Sequence, residues 1–276
     1  MQDTPAFGGK SDAATLRGTP SQVNRYRIEA LAKGLDVLRL FDDATPSLTM
    51  HEVADRTGMP VPTAFRVVST LEEKGFLERL PNGVIRPGLS LVSLGSVALR
   101  SSSIVQLSED SLRRLAASTG ETVNLGVLVG AQVLYLARYE NADMVKANIQ
   151  VGTTLPAAYT SIGKLLLAYM ASAQRSRVLS GQVFSSSAGP NAVATRDELE
   201  ARLATIRVDG YAVQDEELAH GTRSIAVPVY SGEKMPIAAI NVAAGTTRQA
   251  METLRGPILE ALQRTAADIS KRMGAT

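Results

Sequence analysis

Apolar positions first recur with helical spacing at Ile28, Leu31, Leu35 and Leu38, which predicts a helix with one buried stripe. Residues 1–24, rich in Gly, Ser, Thr and Asp, show no such period and are expected to form a mobile tail. After the polar break at 42–47, Thr49-Met50-His51-Glu52 has the spacing of a capping box, so a second helix should start there, turn Val53 and Ala54 inward and stop at Gly58. A turn with two prolines leads to a third helix near Pro62, where a missing amide costs nothing. Its inward stripe is Ala64, Val68 and Leu71, which leaves Thr63, Arg66, Ser69, Thr70 and Glu73 on the outer face. Phe76–Leu80 and Val84–Arg86 read as two short strands around Pro81-Asn82-Gly83, with Asn-Gly expected to supply the two positive φ angles of a tight hairpin.

Residues 89–103 continue as a helix of low charge whose apolar side includes Leu91, Leu94 and Val97. Such a connector either pairs with its own copy or folds back on the second domain. Residues 104–119 predict a further helix, and Thr122–Val129 and Gln132–Tyr139 two strands across a Gly130-Ala131 turn. An extended run at 144–151 is a third strand. Helices are expected from Ser161, at 172–180 and at 195–208, and strands at 211–215, 224–230 and 236–243. A last helix carries Leu254, Ile258, Leu262, Ala266 and Ile269, with a kink at Gly256-Pro257. Antiparallel strands with helices on their faces make this half an α+β sensor-like domain.

A length of 276 residues suits two domains at roughly 150 residues each. No apolar run reaches the roughly 18 residues a membrane helix needs, and the start lacks a secretory pattern, so a cytoplasmic location is expected. The chain has no cysteine, and His51 and His220 stand far apart, which removes thiolate metal sites, disulfides and most nucleophilic triads. No metal and no cofactor is expected. The net charge of +2 does not announce nucleic acid, and residues 25–87 balance nine basic against nine acidic side chains. Any DNA affinity must therefore come from the local placement of Arg25, Arg27, Arg66, Arg79 and Arg86.

Three short helices and a hairpin are nevertheless the order of a winged helix-turn-helix, although the same order also serves dimerisation and protein docking. The third helix offers what a major-groove reader needs: small polar side chains, and an arginine able to fork onto guanine. Arg66 is the candidate for base readout, Thr63, Ser69 and Arg86 for phosphates, and Thr49 and Thr70 complete the set. Residues 29–95 resemble the N-terminal domain of IclR-type bacterial transcription regulators: Ala32-Lys33-Gly34-Leu35-Asp36-Val37-Leu38 is similar to the family's first helix, Ala64 through Leu71 to its recognition helix, and Arg86-Pro87-Gly88-Leu89 to its wing exit. Val61 and Pro62 depart from the basic residue and serine often found there.

The resemblance continues through Leu155-Pro156, Ser161-Ile162-Gly163-Lys164 and the segments 210–217 and 221–229, and so covers nearly all of 29–273. It implies a winged helix-turn-helix domain at 25–88, a linker helix at 89–103 and a GAF-like effector-binding domain at 104–276. It also implies a dimer that often pairs into a tetramer on double-stranded operator DNA, and control by a small molecule. Within the family the wording is most similar to regulators of protocatechuate and 4-hydroxybenzoate breakdown, so the expected effector is a small, aromatic carboxylic acid. The family's pocket carries over onto Ser161, Ile162, Gln214, Ser224, Asn241 and Ala243.

Residue chemistry supports that location independently. Free amides at the start of the helix at Ser161 favour an anion, and Gln214, Ser224 and Asn241 are polar groups within apolar strands, costly unless bonded to a ligand, to water or to each other. Tyr159, Arg138 and Arg223 are secondary candidates, Arg223 with a competing pairing to Glu216 or Glu217. The rival reading is an enzyme using Asp215 and Glu217, which strand alternation would place on one face with Glu216 on the other. Against it, the chain has no GxGxxG, GxSxG or P-loop pattern.

Overall fold

The computed structural model describes residues 26–42, 44–140, 149–184, 188–232 and 235–275. It divides into two compact units, one running to Ser90 and one from Leu91. In the first, α1 (Glu29–Leu38), α2 (Met50–Thr57) and α3 (Val61–Glu73) precede a hairpin of β1 (Leu77–Arg79) and β2 (Ile85–Pro87). Val37, Leu48, Val53, Ala54, Ala64, Val68, Leu77 and Ile85 form its core.

The capping box forms as its spacing requires. Thr49 Oγ1 accepts from the Glu52 amide at 3.3 Å while the Glu52 carboxylate accepts from the Thr49 amide at 2.7 Å, and that hydrogen bond holds the Glu52 carboxyl below its ordinary range. Gly58, at φ 68°, ends α2. Of the stripe expected on α1 only Leu38 packs against the core. Ile28, Leu31 and Leu35 are 66%, 59% and 49% exposed, and Val37 supplies the buried contact with the core instead. A short helix touches a small core over a narrow arc, and spacing alone does not say which of two apolar arcs is covered.

The hairpin also differs from its expected turn. Only Gly83 has positive φ, at 81°. The Gly83 amide donates to Leu80 O and the Leu80 amide to Val84 O, which makes a three-residue loop with Pro81 at the position its ring pre-sets and glycine at the left-handed one. Ile85 of β2 additionally exchanges backbone hydrogen bonds with Leu48, at 2.7 and 2.9 Å, just before the α2 cap.

The boundary falls at the first residue of α4 (Ser90–Arg100), which buries none of its residues, and α5 (Ser103–Thr119) follows in the second unit. A six-stranded, wholly antiparallel sheet comes next, with β3 (Thr122–Val129), β4 (Gln132–Tyr139), β5 (Thr154–Pro156), β6 (Ala212–Asp215), β7 (Thr222–Tyr230) and β8 (Pro236–Gly245) in the order β5-β4-β3-β8-β7-β6. On one face α5 and the C-terminal α9 (Leu259–Arg272) cover Leu125, Ile225, Val227, Ile240 and Val242. On the other, α6 (Ser161–Tyr169) lies on Val133, Tyr135, Ala226 and Ala239, with α8 (Arg196–Asp209) packed against it. The short α7 (Ser172–Val178) joins the two.

The strand expected at 144–151 falls largely on residues outside those described, and β5, which pairs with Gln132–Leu134, was not anticipated because Thr154-Leu155-Pro156 is too short to show a period. The expected kink before α9 is present as a π turn at Leu254–Ile258, with Gly256 at φ −99° and ψ −110°.

Candidate functional site

The outer face of α3 is the first site. Ala64 and Val68 are fully buried and Leu71 is half-buried, so Arg66, Thr70 and Glu73 point away from the core as expected, with Thr63 and Ser69 half-covered. Arg66 is exposed, and among the described residues no carboxylate pairs with it. Thr70 Oγ1 donates back to Arg66 O at 2.8 Å and Thr49 Oγ1 to Glu52 at 2.8 Å, so both hydroxyls already serve helix geometry. Of the other arginines expected to meet DNA, Arg27 pairs with Glu29 at 3.4 Å, Arg79 with Glu72 at 2.9 Å and Arg86 with Glu78 at 2.9 Å. Arg25 lies outside the described residues.

The second site is a row of polar side chains on the sheet face beneath α6. Antiparallel register sets Asn124 of β3 opposite both Arg138 of β4 and Asn241 of β8, and Gln214 of β6 opposite Ser224 of β7. Arg138 Nη1 donates to Asn124 Oδ1 at 3.1 Å, Asn124 Nδ2 to Asn241 Oδ1 at 2.8 Å, and Asn241 Nδ2 to Ser161 Oγ at 3.2 Å. Ser161 Oγ and Ser224 Oγ are 2.7 Å apart, and Ser224 Oγ donates to Gln214 Oε1 at 3.3 Å. Gln214 ends the row by donating to Thr222 O at 3.3 Å.

The row therefore joins Ser161, Gln214, Ser224, Asn241 and Arg138 from the expected set. Ile162 is fully buried beside it, Tyr159 is buried in the turn before α6, and Ala243 is half-buried opposite Ser224. Asn124 was missed, although an asparagine within Thr122–Val129 carries the same signal that singled out Asn241. Thr160 was missed too. Its Oγ1 accepts from the Gly163 amide at 3.0 Å and so uses one of the amides expected to be free for an anion. Gly163 is required at that turn, because a Cβ would stand 2.3 Å from Ala157 Cα.

Arg223 is not part of the row. It pairs with Asp215, its register neighbour, at 3.0 Å and donates to Gln249 O at 2.9 Å, rather than pairing with Glu216 or Glu217. The Asp215/Glu217 arrangement also falls, because β6 ends at Asp215 and Glu216 has φ 52°, so alternation does not carry through. Glu217 is instead turned under α6, where Lys164 donates to both its carboxylate oxygens and Arg202 pairs with it at 2.8 Å. Lys164 is 1% exposed and Glu217 4%. Burial pushes the Lys164 ammonium below the ordinary lysine range, against the pull of Glu217. No group of three or more His, Cys, Asp or Glu side chains among the described residues could hold a metal.

A winged helix-turn-helix followed by a sheet domain with a buried polar row is the layout of a ligand-responsive DNA-binding regulator, and the comparisons agree. Residues 30–81 match the model of the IclR helix-turn-helix domain and residues 96–271 that of the bacterial transcriptional regulator IclR C-terminal domain, and the chain belongs to this family. It is 31% identical to the HTH-type transcriptional regulator XynR of Escherichia coli K12, over 90% of this chain and 98% of that one. It is 30% identical to the Pca regulon regulatory protein of Pseudomonas putida, over 85% of this chain and 81% of that one. Likeness to the latter is no greater, so the expected subgroup is not singled out. A crystal structure of an IclR homologue from Microbacterium hydrocarbonoxydans complexed with 4-hydroxybenzoate superposes with a TM-score of 0.67 at 29% identity, covering 88% of this chain and 98% of that one. The chain is thus a transcriptional regulator, and no helix among the described residues is long and apolar enough to cross a membrane.

The buried ion pair makes a testable asymmetry. Glu217→Gln leaves Lys164 buried without its counter-charge and should cost about 3–5 kcal/mol, whereas Lys164→Met with Glu217→Leu removes both charges and should cost far less. Urea unfolding of the two variants measures the difference, and equal losses would count against it.

Proposed function

We propose that α3 reads an operator in the major groove through Arg66, with Thr63, Ser69 and Arg86 on phosphates, and that a small aromatic carboxylic acid bound at the polar row shifts that DNA affinity. This regulation would take place in the cytoplasm. Arg66 is the arginine of the outer face that no carboxylate holds, and this supports its assignment. Arg86 must exchange Glu78 for a phosphate, a small cost for a pair this exposed.

The observation that carries the effector reading is the hydrogen-bonded row itself. Five buried polar side chains from four strands and the start of α6 converge there. A carboxylate would accept from Ser161 and Asn241, replacing the bonds these now make to their neighbours, and Arg138 would supply a positive charge at one end. The neutral amide of Gln214 does not repel an anion as a carboxylate would. The homologue complexed with 4-hydroxybenzoate supports a ligand of this size and charge.

A second copy is proposed to complete the reader, because helix-turn-helix proteins engage paired half-sites about one DNA turn apart. The exposed apolar side chains at the start of and along α1 (Ile28, Leu31, Leu35) and on one side of α4 (Leu94, Val97) support this. Two such dimers would make the tetramer.

Arg66→Ala should cost about 1–3 kcal/mol at the operator and flatten sequence preference, and an unchanged preference in gel-shift series would refute the assignment. Asn241→Leu and Ser224→Ala should abolish the response to 4-hydroxybenzoate. Because each leaves neighbours short of a partner, each should also cost about 1–3 kcal/mol of stability. Calorimetry that finds unaltered ligand affinity in both folded variants places the pocket elsewhere. Light scattering should give at least twice the 29.3 kDa chain mass at micromolar concentration, and a single-chain mass would rule out the dimer.

A further inference from the structure

The outer face of α3 carries apolar surface as well as Arg66. Phe65 is 52% exposed, and Val61, one turn earlier on the same side, is 42% exposed. Around the helix, Phe65 and Arg66 stand on either side of the line through Pro62 and Ser69. A single exposed aromatic ring is ordinary on a protein surface. This one is held in place. The Arg79 guanidinium lies 5.7 Å from its centroid, and Glu72 grips that guanidinium with two hydrogen bonds of 2.9 and 3.1 Å. Glu72, Arg79 and Phe65 thus tie α3 to β1, and Arg79, expected from sequence to meet phosphates, has its charge balanced and its guanidinium carbon over the ring.

The base edges of a major groove present hydrogen-bond donors and acceptors with one apolar exception, the 5-methyl group of thymine. A phenyl ring held against Arg79, on the flank of the face that carries Arg66, has no other apolar group to meet there. We infer that Phe65 is a specificity residue that reads thymine by its methyl group, with Glu72 and Arg79 as the pair that positions it. The inference rests on α3 being the recognition helix. It adds a second readout of a different kind: Arg66 selects by hydrogen bonding, and Phe65 by removing a methyl from water.

The test starts by selecting bound duplexes from a randomised pool with the full-length protein, followed by replacing each thymidine of the selected site with deoxyuridine, which removes only the methyl. One position per half-site should weaken binding about fourfold on that replacement, the equivalent of roughly 0.8 kcal/mol for one buried methyl-sized group. Phe65→Ala should lose sensitivity at that position and accept other bases there, while Phe65→Leu keeps part of it. Arg66→Ala should keep the deoxyuridine penalty and relax a different base pair. If deoxyuridine is neutral throughout while Arg66→Ala still relaxes one position, the role of Phe65 is overturned and that of α3 stands. If selection yields no preference and neither variant alters binding, both are overturned. A Phe65→Ala variant that changes oligomeric mass, with its deoxyuridine penalty intact, would assign the ring to a protein contact and equally overturn the inference.

Discussion

Every polar atom on the sheet face beneath α6 must find its partner inside the protein, because α6 and the strands exclude water from it. Losing such a partner costs far more than making the bond returns. That single constraint accounts for the row from Arg138 to Gln214: an asparagine at 124 demands one at 241, which demands the serine at the start of α6, which demands Ser224. The same constraint makes the row sensitive to chemistry. A satisfied chain of weak donors and acceptors can be reopened by a better acceptor, and a carboxylate is one.

Lys164 and Glu217 obey the rule in its more expensive form. Lys164 sits one turn along α6 from Ser161 and its pairing with Glu217 joins that helix to the segment after β6, while Arg202 joins α8 to the same carboxylate. A buried ion pair is weak evidence of stability, since apolar residues would fill the space as well. Its directional demand is different: Glu217 reaches Lys164 because Glu216 leaves the extended region at φ 52° and turns the next side chain inward. The position of α6 over the row is thereby linked to the conformation of one residue outside the sheet.

Much of this was legible in the sequence, for reasons that differ by element. The capping box at Thr49 and Glu52 is a local rule complete within four residues, and it formed as written. The three helices and the wing could be ordered because polar or glycine breaks separate them, at 42–47 after α1, Gly58 after α2 and Gly75 after α3, with Gly83 in the wing turn. Ser161, Ser224, Gln214 and Asn241 were identified partly by resemblance and partly because polar residues inside apolar strands need an explanation. The rest depended on information that spacing does not contain. Which arc of α1 meets the core depends on the position of Leu48 and Ile85, which are distant in sequence. Arg223 chose Asp215 through strand register, and Glu217 was misplaced because alternation was carried two residues past the end of β6. Thr160 was overlooked because the helix start at Ser161 was placed correctly but the threonine before it was not read as its cap.

The backbone bridge between Leu48 and Ile85 looks minor, but it joins the wing to the residue that precedes the cap of α2, and the hydrophobic core joins α2 to α3. The proposed recognition helix α3 and the wing are therefore mounted on one small frame, tied together by that bridge and that core. A frame of this kind cannot open or close to suit a groove of different width. Where two candidate sites differ in shape, the strain of fitting falls on the DNA, and duplexes that narrow or bend cheaply gain an advantage at base pairs that no side chain reaches.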